Sequence, residues 1–313
     1  MAVLFNSSRP LGRCENITAV WDAYNGRKQF SKGGFADVSS SACDVIVTDE
    51  FIQRKRSDQR VVMIGHGLCG GKLYGLDQHS RVYTPERCGL VDWYVSSSEY
   101  GRSFCASAAG IPMDRCLPLG FPRTDAYFVV GKGDGDTVLA DYARAYLYAP
   151  TFRSHTEPKP PAIDWHAIDE QMCDDELLVV KRHMIVDNPI ADGEFDHIIE
   201  VGNDEPSTPY LIDCDVVVTD YSSILFDGYV LHKPSVLCIH DAFEYTSSRG
   251  MYMDYPHDYG SITCAGWEYM IERARTAASR GMGERELMCL ERSAGACDGH
   301  STERVIELIK SLL

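Results

Sequence analysis

Asp213 to Cys238, DCDVVVTDYSSILFDGYVLHKPSVLC, reads as strand, polar turn, helix and second strand, with two serines where the helix begins. Val216, Val217, Val218 and Thr219 form a β-branched run of the length of a buried parallel strand, and Val236 to Ile239 form another after Pro234. Between them, Ile224, Leu225, Tyr229 and Val230 recur at the mixed three- and four-residue spacing of a helix packed on a sheet. The free N–H groups and positive dipole end of such a helix attract an anion, and the Ser222 and Ser223 hydroxyls add donors at the same point. Just past the carboxyl end of a parallel strand lies the usual ligand crevice of an open α/β sheet. Taken alone, the local sequence fits equally well with Ser222 serving only as a helix cap.

Upstream, strand and helix patterns alternate. Asp44 to Thr48, Val61 to Ile64 and Val91 to Val95 read as strands, and Ser96-Ser97-Ser98 introduces a helix carrying Phe104 and Ala108. A second series starts with a strand at Ala145 to Ala149, a polar loop from Ser154 to Pro161, a helix near Ile163 to Met172 and a strand at Leu177 to Lys181. Helical patterns near Trp267 to Ala277 and Thr302 to Leu312 close the chain. Short strands separated by helices predict doubly wound parallel sheets. The glycine-rich KGDGD at Lys132 to Asp136 is the expected crossing, which gives one Rossmann-like domain over 1–136 and a second over 137–313. CDVIVTD at Cys43 to Asp49 and CDVVVTD at Cys214 to Asp220 are nearly the same strand exit, one in each half.

With 313 residues and 44% hydrophobic content, the chain is long enough for two ordinary domains with substantial cores. It has no apolar run of membrane-spanning length, and MAVLFNSSRP lacks a basic region followed by an apolar one, so a soluble cytoplasmic protein is expected. The formal charge of −16 argues against nucleic acid and against an anionic membrane surface as nonspecific partners. The dense basic run Arg54-Lys55-Arg56 reads as a solvated loop. Twelve cysteines are scattered without a CxxC pair, which predicts buried thiols rather than a zinc site. The Asn16-Ile17-Thr18 sequon reads as chance.

Thr219, Asp220, Tyr221, Ser222, Ser223, Phe226 and Asp227 also fit a TDYSS-x-x-FD pattern. Four further segments accompany it in order along the chain: His66-Gly67, GFPRTD at Gly120 to Asp125, YAPTFR at Tyr148 to Arg153, and RGMYMDY at Arg249 to Tyr255. With these five segments the sequence resembles the CDP-glycerol glycerophosphotransferase family, which includes the teichoic acid glycerol and ribitol phosphate polymerases. The resemblance runs from about residue 60 to 256. It implies a GT-B architecture, α/β with two Rossmann-like domains facing across a cleft, and it implies a reaction. A donor such as CDP-glycerol or CDP-ribitol gives its polyol phosphate to a hydroxyl of a growing polymer, or of its lipid-linked primer, and leaves CMP.

That chemistry needs one base and several anion holders. His66 follows a strand in VVMIGHG, flanked by Gly65 and Gly67, where a loop can approach a ligand closely. Its imidazole titrates near neutrality and suits a general base. The segment departs from the family pattern, with Leu68, Cys69, Gly70 and Gly71 before Lys72. Arg153 follows the strand that ends YAPTF, and its fork suits a diphosphate, the role the resemblance assigns to it. His183 leaves the next strand on the same rim, where the family has a histidine that handles donor phosphates; Met184 replaces the usual following proline.

Asp227 is part of the matched signature, and its carboxylate suits polyol hydroxyls or the orienting of a cation; Arg249 and Tyr252 are expected in a loop over the donor nucleotide, where a cytosine ring could stack on a tyrosine. Asp220 is expected to brace its turn. Arg123 and Asp125 are expected to pair and shape a cleft wall. Asp134-Gly135-Asp136 and Asp213-Cys214-Asp215 have DxD spacing but unfavourable settings, and no obligatory metal or cofactor is expected. Contact with a membrane-bound acceptor then calls for peripheral association at the inner face of the cell membrane or for a partner protein. Two other readings stay open: a nucleotide-sugar transferase of the same architecture, and a catalytically silent nucleotide-binding homologue.

Overall fold

Val45–Thr48 and Val216–Thr219, the cores of the twin strand exits, are strands in which every residue is buried. They belong to two separate six-stranded sheets, both parallel throughout. The structure is a computed structural model that describes residues 1–65, 67, 71–72, 85–153, 162–182, 195–202 and 205–313. His66 and His183 lie outside the described residues, as does the whole of the loop expected at Ser154 to Pro161.

The chain divides into a first unit, Met1–Phe128 with Glu291–Leu313, and a second, Val129–Leu290. In the first unit β1 (Val3–Ser7), α1 (Glu15–Ala23), β2 (Lys28–Lys32), β3 (Val45–Thr48), β4 (Arg60–Ile64), α2 (Pro85–Cys88), β5 (Trp93–Val95), α3 (Arg102–Ala109) and β6 (Cys116–Leu117) follow one another. The sheet order is β2-β1-β3-β4-β5-β6. The second unit holds β7 (Arg144–Tyr148), α4 (Trp165–Asp169), β8 (Glu176–Val180), β9 (Ile198–Glu200), α5 (Thr208–Asp213), β10 (Val216–Thr219), α6 (Ile224–Val230), β11 (Ser235–Cys238), α7 (Ala242–Arg249), β12 (Ile262–Cys264) and α8 (Met270–Arg280). Its order, β12-β11-β10-β7-β8-β9, is that of a dinucleotide-binding Rossmann sheet. Helix α9 (Glu284–Ala294) leads out of it, and α10 (Ser301–Ser311) ends the chain in the first unit.

The central strands of the second sheet carry near-continuous apolar runs, Ala145 to Tyr148, Leu177 to Val180 and Val216 to Val218, because both faces are covered. Tyr146, Tyr148, Leu178, Val180, Val216 and Val218 enter one core, and Ala145, Leu147, Leu177, Val179 and Val217 the other. Among the described residues no helix is long and apolar enough to cross a membrane. Of the described cysteines all but Cys173 are buried, and none is in a disulfide.

The expected division at residue 136 differs from the observed units for two reasons. KGDGD is not a free crossing, because the buried Asp213 carboxylate accepts the backbone N–H groups of Gly133, Gly135 and Thr137 at 2.8, 3.0 and 2.9 Å and the Thr137 hydroxyl at 2.7 Å. That seats the loop on α5 inside the second unit. The C-terminal segment, in turn, is bonded into the first unit. Ser97 and Ser98, which precede the expected helix α3, also donate their hydroxyls to the carbonyls of Ser293 and Arg292 at 2.6 and 2.5 Å. The basic run also turns partly inward: Lys55 pairs with Asp92, and Arg56 with Asp58 and the Ser41 carbonyl.

At the amino end of β8, Glu176 is fully buried yet charged. Burial alone would raise its pKa, but hydrogen bonds from Arg275, Tyr146 and the Cys173 N–H outweigh it and bring the carboxyl to about 2. A carboxylate depressed in this way stabilises the fold fully above its unfolded pKa, near 4.5. The contribution, about 3 kcal/mol, is lost as pH falls from there toward 2. Thermal unfolding between pH 5 and 3 is expected to show a shallower acid slope in Glu176→Gln than in the parent; an identical slope would assign acid lability elsewhere.

Candidate functional site

From β7 the chain runs outward to β8 and β9, then returns to the other side of β7 to lay down β10, β11 and β12. The strand order therefore reverses between β7 and β10, and ligands bind at the carboxyl ends of strands at such a point. The residues that leave there are Ala149 to Arg153 after β7 and Asp220 to Ser223 after β10. Two of the sequence segments, YAPTFR and TDYSS-x-x-FD, are thus adjacent.

They are tied together by buried charge. The Thr219 hydroxyl donates to the Ala149 carbonyl at 2.6 Å, and Asp220 Oδ1 accepts the N–H of Thr151 at 2.8 Å and of Tyr221 at 2.6 Å. Arg153, whose side chain is only 7% exposed, donates Nε and Nη2 to Asp241 at 3.0 and 2.9 Å, lies 3.0 Å from Asp220 through Nη2, and donates Nη1 to the Thr151 carbonyl at 2.8 Å. Its guanidinium sits 4.6 Å from the Tyr245 ring centroid and 5.1 Å from that of Tyr221, two rings stacked at 3.8 Å and 6°. The Tyr221 hydroxyl donates to Asp241 at 2.8 Å. Burial would weaken the Arg153 cation, but Asp220 and Asp241 more than offset it and raise the guanidinium pKa. Burial and Asp241 also keep the Tyr221 phenol protonated.

Arg153 was expected to offer its fork to a phosphate; here the fork is occupied by two carboxylates. Asp241 completes this cluster and was not singled out from the sequence. Its only local signal is its place after β11, in IHD, at the same carboxyl edge. Ser222 and Ser223 stand at the start of α6, half-buried and exposed respectively, and Ser222 Oγ accepts only a long 3.5 Å contact from the Ile224 N–H. Neither serine caps α6 through its side chain in a normal hydrogen bond. Asp227 is buried within α6.

Among the described residues, Thr151 Oγ1, His240 Nε2 and the Tyr255 hydroxyl are buried without a hydrogen-bond partner. All three lie at or beside this edge: Thr151 follows β7, His240 follows β11, and the Tyr255 ring is 4.9 Å from that of Tyr221. A cavity of about 300 Å³ opens beside Tyr255, lined also by Thr246, Met251, Tyr252 and Asp254. Arg249 ends α7, one residue before Gly250 opens that loop.

A model of the CDP-glycerol:poly(glycerophosphate) glycerophosphotransferase family matches residues 30–311. The chain belongs to that family. It is 25% identical over 286 residues to the teichoic acid glycerol-phosphate primase of Bacillus subtilis, which covers 86% of this chain and 74% of the relative. It is likewise 25% identical over 288 residues to the teichoic acid ribitol-phosphate polymerase TarL of Staphylococcus aureus, covering 84% of this chain but 50% of that one. The solved structure of the wall teichoic acid polymerase TagF superposes with a TM-score of 0.76 at 18% identity, over 99% of this chain and 89% of that one. This glycerophosphotransferase family member thus has the α/β, two-Rossmann-unit fold of the GT-B class.

The remaining expected residues are in the first unit, and they do not pair with each other. Asp125 accepts the N–H groups of Ser301 and Thr302 at 2.9 and 2.7 Å, so it caps α10. The Arg123 guanidinium lies 3.7 Å from Glu15 and over the Phe121 ring. The mutual pair is replaced because the returning C-terminal helix presents unbonded N–H groups to Asp125. The carboxylates of the second DxD element, Asp213 and Asp215, are similarly committed. Asp213 holds KGDGD, and Asp215 accepts Lys132 Nζ and the Ala145 N–H, each at 2.8 Å. No group of three or more metal-ligating side chains gathers among the described residues.

In this family member α6 approaches β10 closely at Gly228, where a Cβ would lie 2.9 Å from Val217 Cγ2. Gly228→Ala is expected to cost about 1–3 kcal/mol through overpacking and to displace the serines. Urea unfolding and donor affinity should weaken together; a loss of stability with unchanged affinity would separate the serines from the donor.

Proposed function

We propose that this chain transfers a polyol phosphate, glycerol phosphate from CDP-glycerol or ribitol phosphate from CDP-ribitol, to a hydroxyl of a teichoic-acid-like or capsular polymer or of its lipid-linked primer. The acceptor oxygen attacks the polyol-side phosphorus, the bridging P–O bond breaks, and CMP leaves with the bridging oxygen. The acceptor proton goes to a general base, for which His66 is the candidate. His183 is assigned to the donor phosphates, with Ser222 and Ser223 as their hydroxyl donors at the start of α6. Asp227 is assigned to the polyol, and Arg249 and Tyr252 to the nucleotide.

The observation that carries this reading is the meeting of YAPTFR and TDYSS-x-x-FD at the point where the strand order reverses, with both serines at the helix start. Arg153 then acts differently from a direct phosphate ligand: caged by Asp220 and Asp241, it fixes Tyr221 and hence the turn that bears the serines. The reaction as written needs no obligatory metal or cofactor. We assign the work to the cytoplasmic face of the cell membrane, with the acceptor brought by the lipid or by a partner protein.

CMP release is the test, measured with CDP-glycerol, CDP-ribitol and a panel of UDP and GDP sugars against short polyol phosphate acceptors. Turnover confined to CDP-polyols supports the reading. Turnover with nucleotide sugars alone, or with no donor at all, overturns it.

A further inference from the structure

We propose that Asn16 is a positioning residue that sets the backbone carrying His66; this deepens, and rests on, the reading of His66 as general base. Asn16 lies in the first turn of α1 and is 4% exposed, which also removes the Asn16-Ile17-Thr18 sequon from modification in the folded chain. Its side-chain N–H donates to the Gly65 carbonyl at 2.9 Å, and its side-chain oxygen accepts the Arg123 backbone N–H at 3.0 Å. Because a peptide carbonyl only accepts and a peptide N–H only donates, the two bonds define which end of the amide meets which partner.

Gly65 is the residue immediately before His66, and Arg123 lies within GFPRTD. One buried side chain, outside all five family segments, therefore bonds the main chain of one segment and the residue at the threshold of another. Close packing acts at the same place. A methyl group at Gly65 would lie 3.0 Å from the Tyr94 hydroxyl oxygen and 3.5 Å from the Phe121 ring. Gly65, the residue before His66 in sequence, is thus fixed by the Asn16 amide and packed closely by two aromatic side chains, and a general base works only when its placement is held to a fraction of an ångström.

Asn16→Asp, read as kcat per folded molecule, tests the donor end of the amide. The aspartate keeps an acceptor for the Arg123 N–H and loses the donor to Gly65. With CDP-glycerol and a fixed acceptor, kcat for CMP release per folded molecule is expected to fall about 10- to 100-fold, with the donor KM close to that of the parent; the Tm falls as well, because the new carboxylate is buried against the Gly65 carbonyl. A folded Asn16→Asp enzyme with parental kcat overturns the proposal, as does a loss of kcat no larger than the loss of folded fraction.

A second pair of variants reads the same backbone from its other contact, and it decides the matter if Asn16→Asp does not fold. Gly65→Ala is expected to lower kcat, and adding Tyr94→Phe, which removes the crowding oxygen, to recover part of it. Parental kcat in Gly65→Ala overturns the proposal. His66→Ala distinguishes the two levels. If it leaves turnover intact the base assignment fails; if it abolishes turnover while the Asn16 and Gly65 variants stay active, only the positioning role fails.

Discussion

His66→Ala is expected to lower CMP release from CDP-glycerol by about 10²- to 10⁴-fold while the protein still binds the donor. An attacking hydroxyl has to lose its proton as the new P–O bond forms, and an imidazole is the side chain whose ordinary titration lies closest to neutrality. His66 follows Gly65 at the carboxyl end of β4, the edge on which parallel sheets carry ligand-binding loops. Donor binding is assigned to the second unit, so the effect belongs in kcat. Equal losses in kcat and in CDP-glycerol affinity would make His66 a donor ligand, and unchanged kcat would remove it from the reaction.

Arg153→Ala is expected to produce the largest loss of stability. It strips the cation from Asp220 and Asp241, each 8% exposed, and leaves two buried carboxylates to face each other. Removing one partner of a buried ion cluster costs about 3–5 kcal/mol, and the urea midpoint should fall accordingly. Arg153→Lys restores the charge but not the planar fork that reaches both carboxylates and the Thr151 carbonyl, and it should recover only part of the loss. The two roles considered for Arg153 give opposite signatures. A phosphate ligand lost at the surface would raise the donor KM with stability unchanged; a lost cage would lower stability first.

How far the sequence foretold this arrangement depends on how local each cause is. The unit from β10 through α6 to β11 is legible because its strands are buried on both faces and its helix has one apolar side, features written in consecutive residues. β1 was not recognised, since VLF runs directly into the polar Asn6 and Ser7, which are buried. β2, KQFSK, is an edge strand with little of it buried, so its composition resembles a loop. The return of the C-terminal segment could not be read, because Ser97 meets Ser293 across 196 positions and no residue near either announces it.

The same holds at the site. Ser222, Ser223 and Asp220 could be found because they sit within one signature. Asp241 could not, because its importance comes from Arg153, 88 residues earlier, and from Tyr221, 20 residues earlier. Arg123 and Asp125 looked like a pair by proximity, whereas the fold supplies Asp125 with α10 and Arg123 with Glu15. The Asn16-Ile17-Thr18 sequon read as chance, and nothing beside it announces that Asn16 is a buried bridge.

A structure with CDP-glycerol bound to the full chain tests the central claim most directly. The account predicts the diphosphate at the carboxyl ends of β7 and β10, within hydrogen-bonding distance of Ser222 and Ser223, with Arg153 still held between Asp220 and Asp241. A nucleotide seated elsewhere, with both serines facing only solvent, would contradict it.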